Sequence, residues 1–344
     1  MADANHPFLA ACHREKTPYT PVWLMRQAGR YMREYRDLRA KFSFLELCKR
    51  PDLAAEITAT PVERLGVDAA ILFADILLLL EPMGVGIEYT KEDGPVIHSK
   101  IVTRTDVEKL QEFEPEEALP FVMEAVRKSR AALNGKVPLI GFSGAPFTLA
   151  SYLIEGGSSR DYLRTKTLIY SNPGAWRGLM ERLSAAVGKY LNAQIAAGVE
   201  AVQLFDSWVG CLSPEDYQKY VLPYTRAAIA ALTPGIPVIH FSTGTAGILK
   251  LVRQAGGDVI GLDWRVRLDE AWRQFDHEVA VQGNLDPAVL LASPKEIRNR
   301  VAEILERAGG RPGHIFNLGH GVLPETPVDH VIAMVEAVHE LSSR

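Results

Sequence analysis

The chain has 344 residues, of which 47% are hydrophobic and 23% charged, so it is an ordinary globular sequence with enough apolar residues for a large core. Its net charge of −4 excludes a global basic field of the kind that attracts nucleic acid or an anionic membrane, so any affinity for anions must be local. No run of about 18 or more uninterrupted apolar residues predicts a membrane span, and no apolar leader begins the chain, which favours a cytoplasmic location. The three cysteines form no CxxC pair and predict neither a disulfide framework nor a zinc site. We expect Cys12, Cys48 and Cys211 to be small buried hydrophobic side chains.

Short apolar runs recur along the chain, and most are nearly continuous in hydrophobicity rather than alternating. This pattern is typical of parallel strands that are covered on both faces. The eight runs occupy residues 20–25, 69–73, 138–143, 201–206, 237–242, 259–263, 280–284 and 314–319.

Helical patterns lie between these runs, and several begin at Ser-Pro or Asn-Pro and end at glycine. The clearest occupy residues 115–133, 173–198, 214–232 and 293–309, whereas residues 84–103 alternate as a small hairpin would. Eight strands separated by helices predict an α/β fold, a single (β/α)8 TIM barrel domain over residues 1–344. A doubly wound open sheet is the alternative, but it usually needs fewer strands and often has a GxGxxG turn, which this sequence lacks.

Polar residues follow the end of each predicted strand, where a TIM barrel carries its active site. They include both cationic and acidic groups, which suits a substrate with several anionic arms and a centre that becomes positive. These rim residues are Arg26, Gln27, Arg30, Asp75, Ser143, Tyr152, Asp206, Ser207, Ser242, Thr243, Asp263, Arg265, Asn284, Asp286, Asn317 and His320.

Arg26 and Arg30 are the leading cationic candidates because they flank "QAG" at the end of the first predicted strand. Gly29 would let the backbone turn closely there. Arg33, Arg36 and Arg39 are weaker candidates, because "MREYRDLRAKF" has helical spacing that can simply expose them.

Asp75 is the leading acidic candidate because it interrupts the apolar stretch "AAILFADILLLL". A carboxylate in such a stretch must be hydrogen-bonded, paired or functional, and its alternative role is to cap a loop. His320 lies between two glycines in "NLGHGV", a position that suits a ligand contact, whereas His240 lies inside a strand pattern and reads as a core histidine. Tyr152, taken alone, reads as packing.

The sequence contains no Ser/His/Asp order typical of a triad, no GxSxG elbow, no Walker loop and no HExxH motif. A nucleophilic hydrolase or a metalloprotease is therefore disfavoured.

Two longer stretches, "PVWLMRQAGRYMREYR" and "GFSGAPFTLASYLIEGG", resemble the signatures of the uroporphyrinogen decarboxylase family. "LFADIL", "FDSWVG", "QGNLDP" and "FNLGHGVLPETP" match the same family in order, so the resemblance covers essentially the whole chain. One departure is Met32 and Arg33, where many members have Leu-Pro, and it removes none of the expected ligands.

The resemblance implies an enzyme of porphyrin (haem or chlorophyll-type) biosynthesis that removes carbon dioxide from the four acetate side chains of uroporphyrinogen III and gives coproporphyrinogen III. It also implies a TIM barrel, a homodimer, a cytoplasmic location, and neither metal nor organic cofactor. Asp75 would stabilise a protonated pyrrole, and arginines would bind substrate carboxylates, with Asp75, Arg26 and Arg30 as catalytic residues. The substrate-binding residues it implies are Arg26, Gln27, Ala28, Gly29, Arg30, Arg39, Asp75, Tyr152, Ser207 and His320.

Two other functions remain open from the residues. A zinc-dependent methyltransferase of the same wider superfamily needs thiolate ligands, commonly as His-x-Cys at a strand end. This chain has Ser242 in the comparable "IHFSTG", which argues against that function. A tetrapyrrole-binding protein without turnover is the second alternative, and the intact set of site residues disfavours it.

Overall fold

The computed structural model describes residues 6–90, 94–98 and 100–344. Its centre is a curled parallel sheet of seven strands in the order β1-β4-β5-β6-β7-β8-β9, with a separate antiparallel pair β2-β3. The strands are β1 Ala70–Ile71, β2 Ile87–Thr90, β3 Gly94–Ile97, β4 Leu139–Gly144, β5 Ala201–Asp206, β6 Val238–Ser242, β7 Val259–Gly261, β8 Ala280–Gln282 and β9 His314–Ile315. Seven of the eight predicted strands are thereby confirmed, and the α/β barrel with them.

The first predicted strand, residues 20–25, is wrong as a regular strand, although the segment takes the eighth place in the ring. Val22 forms a single parallel bridge with Phe316, and its carbonyl accepts a hydrogen bond of 2.7 Å from the Asp68 N–H on the other side. A longer ladder is prevented because Pro21 has no N–H and the N–H of Val22 donates to the Asp68 carboxylate (2.7 Å). The extended segment therefore closes the barrel between β9 and β1.

Helices surround the sheet, as the sequence predicts. Two of the predicted helices are each split in two. One breaks at Leu119, because Pro120 disfavours helical geometry in the residue before it, and the other breaks at Val221, because Pro223 has no N–H to continue the hydrogen bonds of the preceding helix. The helices are α1 Pro7–Cys12, α2 Arg33–Arg39, α3 Phe44–Cys48, α4 Pro51–Leu65, α5 Arg104–Glu108, α6 Pro115–Ala118, α7 Pro120–Leu133, α8 Pro146–Glu155, α9 Leu163–Ser171, α10 Pro173–Ala197, α11 Pro214–Tyr220, α12 Leu222–Ala230, α13 Leu249–Ala255, α14 Leu268–Arg273, α15 Pro294–Ala308 and α16 Val328–Ser342.

The interior of the barrel is filled by side chains, so the ring is closed below its mouth. Apolar side chains such as Trp23, Ile140 and Phe241 pack there as one cluster. The indole N–H of Trp23 donates to Gln282 Oε1 at 2.9 Å, and Gln282 Nε2 donates to Gln203 Oε1 at 3.0 Å. A ligand can therefore reach the chemistry only from the loops at the carboxyl ends of the strands.

The predicted hairpin is confirmed as β2-β3, and it lies in the connection from β1 to β4. It returns to α8, where the N–H of Ile97 donates to Gly156 O (2.9 Å) and the N–H of Ile101 to Leu153 O (3.0 Å). Residues 91–93 and 99 of the predicted hairpin lie outside the described residues. The hairpin thus connects the loop after β1 with the end of α8.

All three cysteines are free. Cys12 and Cys48 are buried, as predicted, whereas Cys211 is only partly buried. No helix in the described part of the chain is both long and apolar enough to cross a bilayer.

Candidate active site

The turn after the barrel-closing segment, residues 26–32, carries the first two candidate arginines and is called the arginine loop here. Arg26 adopts a left-handed backbone conformation with φ of 59°, which is unusual for a residue other than glycine and costs free energy. Gly29 makes the turn possible, since a Cβ there would lie 2.8 Å from the carbonyl oxygen of Arg26. Strained residues of this kind are typical of functional sites.

Gln27 is buried beneath this loop, and its polar groups bond to the protein. Its Oε1 accepts from the N–H of Leu24 at 3.1 Å, its Nε2 donates to Ala69 O at 3.1 Å, and its carbonyl accepts from the Tyr31 hydroxyl at 2.7 Å. The side chain therefore holds the loop to the barrel. A direct contact between Gln27 and substrate stays a prediction, which these bonds do not favour.

The other backbone groups of the arginine loop remain available. Within the described residues, the N–H groups of Ala28, Gly29 and Arg30 donate to no protein acceptor. Successive unpaired N–H groups in a turn form a concave site for anions. Ala28 and Gly29, which have no long side chains, can thus bind a carboxylate through the backbone.

The guanidinium groups of Arg26 and Arg30 are also unpaired. Both side chains are exposed, and among the described residues neither forms an ion pair or donates to a protein acceptor. Arg33, by contrast, pairs with Asp37 at 3.6 Å on the outer face of α2. Arg36 donates to the carbonyls of Arg30 (2.9 Å) and Tyr31 (2.7 Å) and supports the loop from behind.

Arg39 lies farther from the centre of the mouth. It is half-buried beside Tyr35, where its charge opposes the burial that raises the pKa of that tyrosine, and it donates to Phe42 O at 2.6 Å. The guanidinium has further N–H groups for a ligand. Its role in substrate binding stays a prediction.

Asp75 lies in the loop after β1, half-buried and facing the mouth. Its Oδ1 accepts from the Tyr89 hydroxyl and from the Leu77 N–H (2.8 Å), while Oδ2 accepts no hydrogen bond from a described residue. Burial raises the pKa of Asp75, whereas the hydrogen bonds from Tyr89 and Leu77 and the charge of Arg26 lower it. One oxygen is fixed by the protein, and the other is left for a ligand.

Arg26 lies close enough to act electrostatically on the other central residues. Its charge opposes the burial that raises the pKa of Asp75 and of Tyr152, and adds to the burial that lowers the pKa of His320. The Arg26 side chain crosses to the loop after β9 and packs against Gly321. A Cβ at position 321 would lie 2.5 Å from Cδ of Arg26, so glycine leaves the space that the side chain occupies. The structure thus brings together Arg26, Asp75, Tyr152 and His320, four of the predicted site residues.

Tyr152 and Ser207 form the next part of the mouth. Tyr152 is buried in α8, where burial and the charge of Asp75 raise its pKa to about 12 against the effect of Arg26, so its hydroxyl is a neutral donor. Its ring lies edge-on to Trp208, with centroids 5.8 Å apart. Ser207 precedes that tryptophan, and its carbonyl accepts a hydrogen bond of 2.6 Å from the Thr243 hydroxyl, while its own hydroxyl donates to no described residue.

His320 closes the mouth from the β9 side. Its ring lies edge-on to Trp264, with centroids 6.4 Å apart, and Arg265 stacks over the same indole at 4.0 Å. Burial, and then the charges of Arg26 and Arg265, lower the pKa of His320 to about 4, while Asp263 raises it. The imidazole is therefore neutral near pH 7, so one ring nitrogen donates a hydrogen bond and the other accepts one.

Most of the remaining rim residues form hydrogen bonds or ion pairs within the protein, and a contact between any of them and a ligand stays a prediction. Asp206 is fully buried, with His240, a core residue as predicted, at 3.5 Å. The others hold loops: Ser143 donates to Gly144 O (3.0 Å), Ser242 bonds to Thr245 (2.9 Å), Asp263 accepts from the Gly244 N–H (2.7 Å) and pairs with Arg265 (2.7 Å), Asn284 donates to Asp263 O (2.8 Å), Asp286 accepts from the Ala288 N–H (2.9 Å), and Asn317 accepts from the Met25 N–H (3.3 Å).

A cavity of about 500 Å³ lies elsewhere, on the outside of the barrel between α14 and α15. Three of its arginines, Arg267, Arg273 and Arg307, are paired with the carboxylates of Asp269 and Glu303, and the fourth, Arg311, donates to Ala308 O (3.3 Å). Nowhere in the described ranges do three or more His, Cys, Asp or Glu side chains form a group that could hold a metal ion.

Comparisons with known proteins identify the family of the chain. The family model for uroporphyrinogen decarboxylase (URO-D) matches residues 3–341. A uroporphyrinogen decarboxylase from Carboxydothermus hydrogenoformans is 59% identical over 340 residues, covering 98% of this chain and 97% of that protein. One from Sorangium cellulosum is 57% identical over 335 residues, covering 97% and 96%. Among solved structures, a methyltransferase from Methanosarcina mazei has a TM-score of 0.79 at 21% identity and covers 99% of both chains, a likeness that shows the fold alone.

The charge of Arg26 gives a testable consequence for His320. We expect the His320 imidazole to stay neutral from pH 8 down to about pH 5.5, and Arg26→Gln to raise its pKa, because the substitution removes a nearby positive charge. Arg33→Gln, a matched change on the outer face of α2, should leave it unchanged. NMR titration of the imidazole signals, assigned with His320→Asn, measures this. A His320 signal that titrates near pH 6.5 in the unmodified protein would contradict the arrangement.

Proposed function

The chain belongs to the uroporphyrinogen decarboxylase family and is a carboxy-lyase, and we propose that the Asp75 carboxylate and the unpaired arginines of the mouth carry its reaction. The reaction removes carbon dioxide from the four acetate side chains of uroporphyrinogen III and gives coproporphyrinogen III, a step of porphyrin biosynthesis. The observation that carries the proposal is the half-buried Asp75 carboxylate, which has one oxygen without a hydrogen bond from the described residues and lies within electrostatic reach of the unpaired Arg26 guanidinium.

The chemistry explains why a carboxylate is needed. An acetate on a pyrrole has no carbonyl that can accept the electron pair of the breaking C–C bond. Protonation of the ring carbon first gives an iminium-like cation, and loss of carbon dioxide sends the C–C electron pair into this cation, which leaves a neutral ring with an exocyclic methylene. A proton added to the methylene carbon and the proton lost from the ring carbon then give the methyl group and restore the neutral pyrrole. Asp75 Oδ2, which accepts no bond from the described residues, faces the pyrrole N–H groups and stabilises the cation as it forms.

The arginines meet a second need, since uroporphyrinogen carries eight carboxylates. Planar guanidinium groups bind carboxylates through two parallel hydrogen bonds. Arg26 and Arg30, together with the free N–H groups of Ala28 and Gly29, provide this binding on one side of the mouth. Tyr152, Ser207 and His320 contact the macrocycle and its side chains from the other, and Arg39 serves a more distant arm.

The two alternative functions lack such support. In place of the thiolate that a zinc-dependent methyltransferase requires, Ser242 is buried and bonded to Thr245. A zinc determination on the purified protein tests the methyltransferase function, which requires bound zinc. A binding protein without turnover would leave the four acetates of uroporphyrinogen intact after anaerobic incubation, whereas we expect the unmodified protein to release carbon dioxide from all four.

Four wider features belong to the same proposal. The chain acts as a single barrel domain, it works in the cytoplasm, and it needs no metal or organic cofactor. It also forms a homodimer, supported by exposed apolar side chains on α9: Leu163 is 69% and Tyr170 56% exposed. The residue before α9, Tyr162, packs on Trp208 at the mouth, with ring centroids 5.6 Å apart. The partner would therefore lie beside the active site.

Asp75→Asn tests the role of the carboxylate. Asparagine keeps an oxygen for the Tyr89 hydroxyl and the Leu77 N–H, so we expect the variant to fold and to bind substrate, but to lose roughly 100- to 1,000-fold in kcat because the developing cation loses its counter-charge. Anaerobic turnover of uroporphyrinogen, with product carboxylates counted by chromatography, measures it. Asp37→Asn on exposed α2 is the control. Near-native turnover of the Asp75 variant would overturn the assignment.

A pair of alanine variants tests the arginine loop. Arg30→Ala should lower kcat/KM roughly 10- to 100-fold, because it removes charge-assisted hydrogen bonds to a substrate carboxylate. Arg33→Ala should change it little, since that guanidinium is paired with Asp37 on the outer face of α2. The assignment does not survive if both variants show equal and negligible effects.

The dimer proposal is tested by a charge placed on α9. We expect the unmodified protein to sediment as a dimer and Leu163→Asp to sediment as a monomer, because the charge would be buried in the contact. Leu291→Asp, at another exposed leucine (49%) far along the chain, is the matched control. An unmodified protein that sediments as a monomer, or a Leu163→Asp variant that still sediments as a dimer, would argue against this interface.

A further inference from the structure

We propose that Tyr89 is a positioning residue, whose hydroxyl holds the Asp75 carboxylate so that Oδ2 alone faces the substrate. The inference rests on the proposed role of Asp75 and adds a residue to it. It assigns the β2-β3 hairpin a part in the reaction, although the hairpin lies outside the barrel sheet.

The hydrogen bonds around Asp75 carry the inference. The Tyr89 hydroxyl and the Leu77 N–H both donate to Oδ1, from two different structural elements. Leu77 belongs to the same loop and moves with Asp75, whereas Tyr89 belongs to β2 and fixes the carboxylate from outside. Two donors on one oxygen determine the rotation of the carboxylate plane and leave the lone pairs of Oδ2 directed elsewhere.

Tyr89 is itself held in place. Its ring packs on Phe44 with centroids 4.9 Å apart, and its backbone pairs with Pro95 in the hairpin. The hairpin is anchored in turn to α8 through the bond from Ile97 N–H to Gly156 O (2.9 Å), four residues beyond Tyr152. The hydroxyl therefore reaches Asp75 from a rigid support, as a positioning group must.

The proton stays on Tyr89. Burial, followed by the charge and the hydrogen bond of Asp75, raises the pKa of the phenol far above its ordinary value. Tyr89 is thus a donor to an ionised Asp75 and takes no proton from it.

The ionisable groups that face Asp75 from the elements around it are Tyr89 of the hairpin, Arg26 of the arginine loop, Tyr152 of α8, Cys48 of α3 and Tyr190 of α10. Arg26 is the only cation in this set, so Tyr89 is a principal support of the ionised form.

Tyr89→Phe isolates the hydroxyl, because phenylalanine keeps the ring that packs on Phe44. We expect unchanged melting behaviour, a roughly 10-fold lower kcat, and a shift of the acid limb of kcat/KM to higher pH. The sign follows from the hydrogen bond: it lowers the pKa of Asp75, so its loss raises that pKa, and the required carboxylate disappears at a higher pH as the solution is acidified.

Tyr19→Phe is the matched control. It also removes a tyrosine hydroxyl that donates to an aspartate, Asp68 Oδ1 at 3.0 Å, but at the opposite end of the barrel. We expect no change in its kcat or pH profile.

A double-mutant cycle with Asp75→Ala shows whether Tyr89 acts through Asp75. With no carboxylate to hold, Tyr89→Phe should add no further loss in the Asp75→Ala background. Native kcat and pH profile in Tyr89→Phe would overturn the inference, as would a full additional loss in that background. A fall in kcat with an unmoved acid limb would also overturn it. Near-native turnover of Asp75→Asn would instead refute the proposed role of Asp75. Failure of the Tyr89 inference and failure of the proposed function are therefore distinguishable.

Discussion

The mouth of this barrel is arranged around one constraint, the half-buried Asp75 carboxylate, which the proposed mechanism requires in its ionised form. Burial favours the neutral form of Asp75, and three groups oppose it: the Tyr89 hydroxyl, the Leu77 N–H and the charge of Arg26. These groups come from the hairpin, the loop after β1 and the arginine loop. The connection from β1 to β4 must therefore be long, because it has to leave the barrel, form the hairpin and return to α8 across the mouth.

A second feature is that the protein does not neutralise its own charges. Asp75 is bonded by neutral donors rather than by a direct ion pair with Arg26, so both the carboxylate and the guanidinium keep their charge for a ligand. Arg26 holds its position in a left-handed conformation that costs about 1 to 3 kcal/mol. Gly29 below it and Gly321 beside it leave the space that this conformation and the extended side chain need.

The sequence was informative where a local pattern determines structure. Continuous apolar runs located the seven sheet strands, and the conspicuous acid in "LFADIL" located Asp75. It was less informative where partners come from distant parts of the chain. Gln27 and Asn317 look like ligands beside their strands, but their amides are bonded to the backbone of neighbouring segments. Tyr89 was missed because an alternating strand shows which residues share a face, and not that one of them meets a carboxylate fourteen residues earlier.

The arrangement of charges also separates binding from turnover. A cation that forms beside unpaired arginines would be repelled by them, so arginines without a bound carboxylate disfavour the cationic intermediate. In the proposed mechanism, substrate carboxylates that pair with Arg26 and Arg30 would neutralise that repulsion, and the remaining negative charge of Asp75 would act on the protonated pyrrole. His320 adds no competing charge, because burial and the charges of Arg26 and Arg265 lower its pKa to about 4. On this proposal, the groups that bind the arms of the substrate determine when the carboxylate at the centre can stabilise the transition state.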